Sequence, residues 1–235
     1  MIGFDRPLQP DWIYNTLKMI EAGKSPSDYY HIFDKEIAVE RIGKDGVRKI
    51  RTVLFRTFIY SFQDQKNTIE NNLLIELCKK YDMEFVKPVL ISKLLLDYEL
   101  FRFLTKKIQQ LYDPLQEVNS SIITRKVIEE FGDTEIVKRS VRSFFKTLSS
   151  FGILEPVSTT RYLQFPRKML NENQVRYIIK LYADNHHTRQ IDIQNFDNIY
   201  FAYRQQPDIS RTALHYHNQE WEYIKGYQRE LLLLK

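Results

Sequence analysis

The chain of 235 residues has little cysteine, glycine and proline, and it has no long apolar run. Its one cysteine, Cys78, excludes an internal disulfide framework and fits a reducing compartment. Seven glycines and eight prolines are few for this length, which favours long helices over a fold rich in loops. No stretch of about 18 apolar residues occurs, so we expect no segment that spans a membrane.

The first residues also lack the basic and apolar segments of a signal peptide. These absences together predict a soluble, cytoplasmic protein. The formal net charge is +5 and the isoelectric point is about 9.1. An excess of this size permits a polyanionic partner without requiring one.

Motifs that would indicate an enzyme are missing as well. The Gly-Lys-Ser at 23–25 lacks the first glycine of a phosphate-binding loop, and it follows a predicted helix instead of a strand. The pairs His186–His187 and His215–His217 do not have the spacing of three or four that places two metal ligands on one helix face. No serine lies in a nucleophile elbow. We therefore predict a protein that is not an enzyme and has no metal and no cofactor.

Apolar residues with helical spacing predict helices along most of the chain. The expected helices cover residues 11–22, a segment from 25 onward, 47–62, 67–81, 84–96, 97–112, 171–182 and 210–228. The segment 84–96 is apolar on nearly all sides, so we expect it to be the most buried helix. Asp45-Gly46 is expected to separate the second helix from the third. Residues 184–198 are polar and predict a loop.

The segment 120–165 gives the clearest fold prediction. A short helix over 122–130, capped by Ser120 or Ser121, is followed by a turn at Gly132. A longer helix then begins after Thr134 or Asp133 and ends at Gly152. Two short strands follow, at 153–154 and 162–165. This order predicts a winged helix-turn-helix module with a short β-hairpin.

Basic residues cluster in two places. On the longer helix Lys138, Arg142 and Lys146 are four residues apart, with Arg139 beside them. Between residues 41 and 56 there are six basic residues and one acidic residue. A first helix turn that carries only cations opposes its own dipole, which suggests an anionic partner. The predicted nucleic-acid contacts are Lys44, Arg48, Lys49, Arg51, Arg56, Lys138, Arg139, Arg142, Lys146 and, near the tip of the hairpin, Arg161.

The order of these segments resembles the BrxA family, a helical accessory component of BREX (bacteriophage exclusion) anti-phage systems. The resemblance covers about residues 11–183. It rests on Leu17–Gly23, Val47–Phe58, Leu95–Leu104, a short helix that ends near Phe131, Leu148–Leu154 and Asn171–Tyr182. The resemblance implies an all-helical protein with helix-turn-helix character that binds DNA within a multi-protein defence system, and it supplies no catalytic residues.

The sequence thus predicts a mainly helical, all-α protein with a winged helix-turn-helix-like module. The expected domains are an N-terminal helical domain (1–115), the winged module (116–184) and an aromatic-rich extension (185–235). We expect a DNA-binding accessory component of an anti-phage system, with other defence proteins as partners and RNA as an open alternative. The rival interpretation is a protein-interaction scaffold, docked through the winged segment and the C-terminal aromatics.

Overall fold

The computed structural model describes residues 3–38, 43–60, 67–165, 168–201, 204–205 and 208–235. The protein is mainly helical, at about 60% helix, and it contains small sheets. The predicted fold class is confirmed at this level. Within the described residues, no helix is both long enough and apolar enough to cross a membrane.

Ten α-helices lie in the described part of the chain. They are α1 (Pro10–Met19), α2 (Tyr30–Ala38), α3 (Lys44–Phe58), α4 (Leu73–Lys80), α5 (Met83–Asp97), α6 (Glu99–Leu111), α7 (Ser120–Phe131), α8 (Glu135–Ser150), α9 (Glu172–His186) and α10 (Ile209–His215). Two 3-10 helices lie at Pro26–Tyr29 and Asn198–Phe201.

Eight short strands complete the described structure. They are β1 (Glu117–Asn119), β2 (Leu154–Pro156), β3 (Arg161–Gln164), β4 (Lys168–Met169), β5 (Gln190–Asp192), β6 (Arg204–Gln205), β7 (Trp221–Lys225) and β8 (Glu230–Leu234). One antiparallel sheet has the order β1-β3-β2, and another has the order β5-β8-β7. The strands β4 and β6 form a parallel pair.

Helix α5 is the centre of the fold. Val86 and every residue from Pro88 to Leu96 are buried, as the sequence predicted for a helix that is apolar on nearly all sides. Helices α1, α3, α4, α6 and α9 all pack against it. A single cluster of buried side chains runs from Phe4 to Leu232 and joins these helices to both three-stranded sheets.

One charged side chain lies inside this core. Lys93 on α5 is 1% exposed, and its Nζ lies 2.8 Å from Asp97 Oδ1 and 2.5 Å from Asn185 Oδ1. Burial lowers the pKa of Lys93 and raises the pKa of Asp97, and the ion pair opposes both shifts. A buried ammonium group is tolerated because it is paired and hydrogen-bonded on both sides.

The start of α3 corrects one prediction. The helix begins at Lys44, so Asp45 and Gly46 lie in its first turn and do not separate it from α2. Its first turn therefore contains an acidic residue, while Arg48 and Lys49 follow in the second turn. A first turn that carries only cations was therefore a wrong expectation, because Lys44 and Asp45 share this turn and their charges offset each other near the positive end of the helix dipole. The helix ends at Phe58, and residues 61–66 lie outside the described part of the chain.

Two further helix boundaries differ from the predicted ones. Helix α4 begins at Leu73, because Asn72 caps it by accepting hydrogen bonds from the N–H groups of Leu74 (3.0 Å) and Ile75 (3.1 Å). The predicted helix over 97–112 is interrupted at Tyr98, whose backbone is extended. Its hydroxyl is 2.6 Å from Thr57 Oγ1, and this buried hydrogen bond joins the junction of α5 and α6 to α3.

The segment 120–165 follows the predicted order of helices and strands. Gly132 has a φ of +87°, and Thr134 caps α8 by accepting a hydrogen bond from the N–H of Val137, as expected. The cap of α7 is Asn119, where a serine was expected. Strand β1 was not predicted. It pairs with β3, with Val118 opposite Tyr162, and so extends the hairpin into a three-stranded sheet.

The C-terminal region departs most from the prediction. The helix expected over 210–228 ends at His215, and β7 and β8 follow it. Trp221 is fully buried and donates a hydrogen bond from Nε1 to the carbonyl oxygen of Ala213 at 2.8 Å, which fixes β7 against α10. The predicted loop at 184–198 holds β5, which pairs with β8.

Most C-terminal aromatics that the scaffold interpretation requires at the surface belong to the core. Tyr200, Phe201, Tyr216 and Trp221 are all buried, while Tyr227 at the tip of the β7–β8 hairpin is fully exposed. Alternation of aromatic and polar residues in this region therefore reflects packing of the β5-β8-β7 sheet and α10. Tyr203 lies outside the described residues.

Cys78 provides a test of this core. Its side chain is fully buried in α4, and burial raises the pKa of its thiol to about 12. The thiolate is the reactive form, so the folded protein should react with a thiol reagent such as DTNB at pH 8 only as fast as it unfolds. Addition of urea should release one fast-reacting thiol per chain. Immediate stoichiometric reaction without denaturant would contradict the packing of α4 against α5.

Candidate functional site

The N-terminal segment, residues 3–9, lies across α8. The backbone N–H of Leu8 donates a hydrogen bond to Thr147 Oγ1 at 3.0 Å, and Leu8 itself is fully buried. Phe4 is buried too, with its ring edge-to-face against Tyr98 (4.9 Å between centroids) and Phe144 (4.7 Å). The segment is therefore anchored to the core at both ends.

Close contact at Gly3 restricts the first part of this segment. A Cβ atom added there would lie 2.7 Å from Ser140 Oγ and 3.0 Å from Ser140 Cβ on α8. A side chain at this position would clash with the side chain of Ser140. Glycine thus allows the N-terminal segment to lie directly on the helix surface.

Two clefts flank the N-terminal segment. The first cleft has a volume of about 540 Å³ and lies between α3 and α8; it is lined by Gly3, Phe4, Asp5, Arg48, Lys49, Thr52, Val53, Arg56, Ile136, Arg139 and Ser140. The second cleft, of about 330 Å³, is lined by Asp5, Arg6, Pro7, Arg139, Arg142, Ser143 and Lys146. Asp5 and Arg139 line both, so the two clefts form one continuous surface.

This surface, which we call the cationic surface, is strongly basic. The lining residues include seven basic side chains: Arg6, Arg48, Lys49, Arg56, Arg139, Arg142 and Lys146. Asp5 is the one acidic residue among them. The excess of six positive charges is larger than the net charge of +5 of the whole chain, so the remainder of the protein is slightly acidic.

Few of these cations are neutralised at short range. Arg48 pairs with Asp45 at 3.7 Å, Lys49 with Asp5 at 3.6 Å, and Arg139 with Glu135 at 3.9 Å; all three basic side chains are about half exposed or more. Long, exposed pairs of this kind are weak and exchange readily with other anions.

Arg142 and Lys146 are exposed, and neither forms an ion pair with any residue that the structure describes. Nothing in the described structure therefore holds these two side chains away from an approaching anion.

The residues Arg56 and Arg6, which line the first and the second cleft, each have a buried guanidinium nitrogen without an acceptor. Arg56 donates from Nη2 to the hydroxyl of Tyr98 at 3.2 Å, but its Nε is buried and has no hydrogen-bond partner in the described structure. The same holds for Nε of Arg6 in the second cleft. An unsatisfied buried donor costs about 1–3 kcal/mol.

The other residues predicted to bind nucleic acid lie outside the two clefts. Arg51 is directed toward α2, where it pairs with Asp34 and lies over the ring of Tyr30 at 4.3 Å from the centroid. Lys44 is exposed at the first residue of α3.

Two of these residues, Lys138 and Arg161, lie in the segment 120–165. Lys138 lies 2.5 Å from Asp133, and its hydrogen bond to that carboxylate raises the pKa of the ammonium group. Arg161, on β3, pairs with Glu117 of β1 at 3.3 Å. Both pairs are local to the segment and leave these cations partly neutralised.

The histidines show no arrangement suited to a metal in the described residues. His215 Nδ1 lies 2.9 Å from Glu172, which also pairs with Arg211 at 2.9 Å. His217 Nδ1 accepts a hydrogen bond from the backbone N–H of Tyr223 at 2.9 Å. Their hydrogen bonds therefore join α9, α10 and β7.

Sequence reasoning missed the contribution of the N-terminal segment. Asp5, Arg6 and Ile136 line the clefts, but no periodic pattern marks them, and Pro7 suggested only an irregular lead-in. Phe4, an isolated aromatic residue before this proline, is the one signal in the sequence that the segment packs against the core.

Comparisons with protein-family models, curated proteins and solved structures gave no match to this chain.

Anchoring of the N-terminal segment can be tested at Phe4. Replacement of a buried phenylalanine by alanine costs about 3–5 kcal/mol, so Phe4→Ala should lower the free energy of unfolding in urea by about that amount. Phe4→Leu keeps most of the buried volume and should cost much less. Equal stability of Phe4→Ala and the wild-type protein would show that the segment does not pack between α8 and α6.

Proposed function

We propose that this protein binds double-stranded DNA through the cationic surface and that it is not an enzyme. The observation that carries the proposal is the meeting of basic residues of α3 and α8, which are separated by about 90 positions in sequence, on the two sides of the N-terminal segment. Residues that come together only in the folded chain form one region of positive potential, which would attract the phosphates of a nucleic acid.

The proposal includes a winged helix-turn-helix module. The element order α6–β1–α7–α8–β2–β3 supports it, as does the antiparallel sheet order β1-β3-β2. Helix α6 packs on both α7 and α8, so the three helices form one unit. In this arrangement α8 is the recognition helix and would lie in the major groove, with the β2–β3 hairpin beside the backbone.

The composition of α8 bears on how DNA would be recognised. Its exposed face carries Glu135, Ile136, Arg139, Arg142 and Lys146 but no asparagine or glutamine. Arginine reads guanine well, but the amide side chains that read adenine are absent. Phosphate contacts would therefore dominate, and binding should be salt-sensitive with weak sequence preference.

We further propose that the protein acts in an anti-phage defence system, together with other defence proteins. This part rests on the resemblance to the BrxA family, carried by segments that include Val47–Phe58 and Leu148–Leu154. Both segments contribute to the folded core: Val47–Phe58 lies within α3, and Leu148–Leu154 runs from the end of α8 to the start of β2. Helices α3 and α8 also supply the cationic surface. The gene neighbourhood of this chain would test the assignment without any binding measurement.

Charge reversal at Arg142 tests the DNA site. Arg142 is exposed and unpaired in the described structure, so Arg142→Glu should leave the fold intact and weaken duplex binding by about tenfold or more at 0.1 M salt. The slope of log K against log salt should fall by roughly 0.9 for the lost phosphate contact. Fluorescence anisotropy with a labelled random duplex measures both quantities.

Arg229, exposed at the tip of the β7–β8 hairpin, provides the matched control. Arg229→Glu makes the same change in net charge away from the clefts, and it should change affinity much less than Arg142→Glu. Equal effects of the two variants would contradict a DNA site on α8. No binding of the wild-type protein at low salt would favour the scaffold interpretation.

A change at Asp5 should strengthen duplex binding, whereas the change at Arg142 should weaken it. Asp5 is the acidic residue of the cationic surface and lies 3.6 Å from Lys49, so its carboxylate repels phosphates from both clefts. Asp5→Asn should therefore tighten duplex binding, by up to about tenfold at low salt. Glu222→Gln, an exposed position on β7, makes the same charge change away from the clefts and should have little effect. Unchanged or weaker binding by Asp5→Asn would contradict the expected repulsion between Asp5 and the DNA phosphates.

A further inference from the structure

The first cleft has properties that contact with a duplex backbone does not require. Its volume of about 540 Å³ lies within the range of about 300–1,000 Å³ for sites that hold small ligands. Phosphates of a duplex need only surface cations, whereas this cleft is a recess with an apolar wall. Val53 and Ile136 form part of that wall, between the cations of α3 and Arg139 of α8.

Ile136 is the less expected part of the wall. Its side chain is 69% exposed on a helix face that is otherwise charged. Exposed apolar side chains are common, but one that lines a cleft among four cations places an apolar surface beside a concentration of positive charge. A ligand that complements both combines an apolar part with an anionic part.

We propose that the first cleft binds a nucleoside phosphate, with the base against Ile136 and Val53 and the phosphate among Arg48, Lys49 and Arg139. A base removed from a stack is commonly held between apolar or aromatic side chains, and its phosphate by basic side chains. The ion pairs of Arg48 and Lys49 are long enough to be exchanged for a phosphate.

Polar groups for the edge of a base are also present in the cleft. The Asp5 carboxylate can accept a hydrogen bond from an exocyclic amino group, which adenine, guanine and cytosine all carry. The Arg56 guanidinium is half-buried, and its unsatisfied Nε leaves it short of one acceptor. A phosphate in the cleft would be attracted by the charge of this guanidinium.

The nucleoside phosphate in the first cleft can come from two sources. One is a free mononucleotide, and the other is an unpaired nucleotide of a bound nucleic acid, at a single-stranded end or beside a duplex. The free-nucleotide source stands without the proposed DNA binding, whereas the unpaired-nucleotide source rests on it. The experiment therefore has one arm for each source.

The first arm uses isothermal titration with deoxyadenosine monophosphate and, separately, with inorganic phosphate. The nucleotide should bind about tenfold or more tightly than phosphate, because the base adds its own contact. Ile136→Ser should abolish this difference and leave phosphate binding unchanged. Leu214→Ser is the matched control, since Leu214 is 66% exposed on α10 and does not line the cleft.

The second arm compares three labelled DNAs by anisotropy: a blunt duplex, the same duplex with a short single-stranded overhang, and a duplex whose overhang has the same phosphates but abasic sugars. The overhang with bases should bind more tightly than the abasic overhang, by about fivefold or more. Ile136→Ser should remove this preference between the two overhangs, and Leu214→Ser should retain it.

The outcomes separate this inference from the proposed function. The inference is overturned if the nucleotide binds no tighter than phosphate and the two overhangs bind equally; duplex binding that depends on Arg142 would then leave the proposed function intact. If the nucleotide binds in a manner that depends on Ile136 and no duplex binds, the inference stands with the free nucleotide as ligand and the proposed function falls. A preference for the overhang with bases supports the unpaired nucleotide as the source.

Discussion

Burial of α5 is the constraint on which the rest of the structure depends. A helix without a polar face is stable only if other elements cover it on every side, and α1, α3, α4, α6 and α9 do so. This requirement brings the N-terminal helices and α9 into one core. It also explains the treatment of Lys93, whose ammonium group must find Asp97 and Asn185 because water cannot reach it.

The cationic surface follows from the same packing. Helix α3 is held at the α5–α6 junction by the hydrogen bond between Thr57 and Tyr98, and α8 packs on α6. Phe4 fills the space between them against Tyr98 and Phe144. Two helices with basic outer faces are thus fixed beside each other, and the N-terminal segment adds Arg6 and Asp5 to the surface.

Concentrated positive charge on a folded surface carries an electrostatic cost, because the like charges repel one another. Here an excess of six charges lies on one surface, and the nearest carboxylates, such as Asp45 and Glu135, form only long pairs with it. A polyanion would relieve this repulsion and release counterions. The proposed DNA site and the proposed nucleoside phosphate site both draw on this surface, and the apolar wall at Ile136 distinguishes the second from the first.

Local sequence determined much of this protein: the mainly helical class, the burial of Cys78 and α5, and the turn residues Gly132 and Gly152, because apolar period and backbone conformation act over a few residues. Local sequence could not show that Arg51 and Arg48 have different surroundings, because both lie on the same basic helix. Only the folded chain brings Asp34 to Arg51 and leaves Arg48 in the first cleft. Local sequence also misjudged the C-terminal region, where the burial of Trp221 in a sheet outweighs helical propensity. The meeting of α3, α8 and residues 3–9 was decided by tertiary structure alone, because it depends on contacts between residues as distant as Leu8 and Thr147.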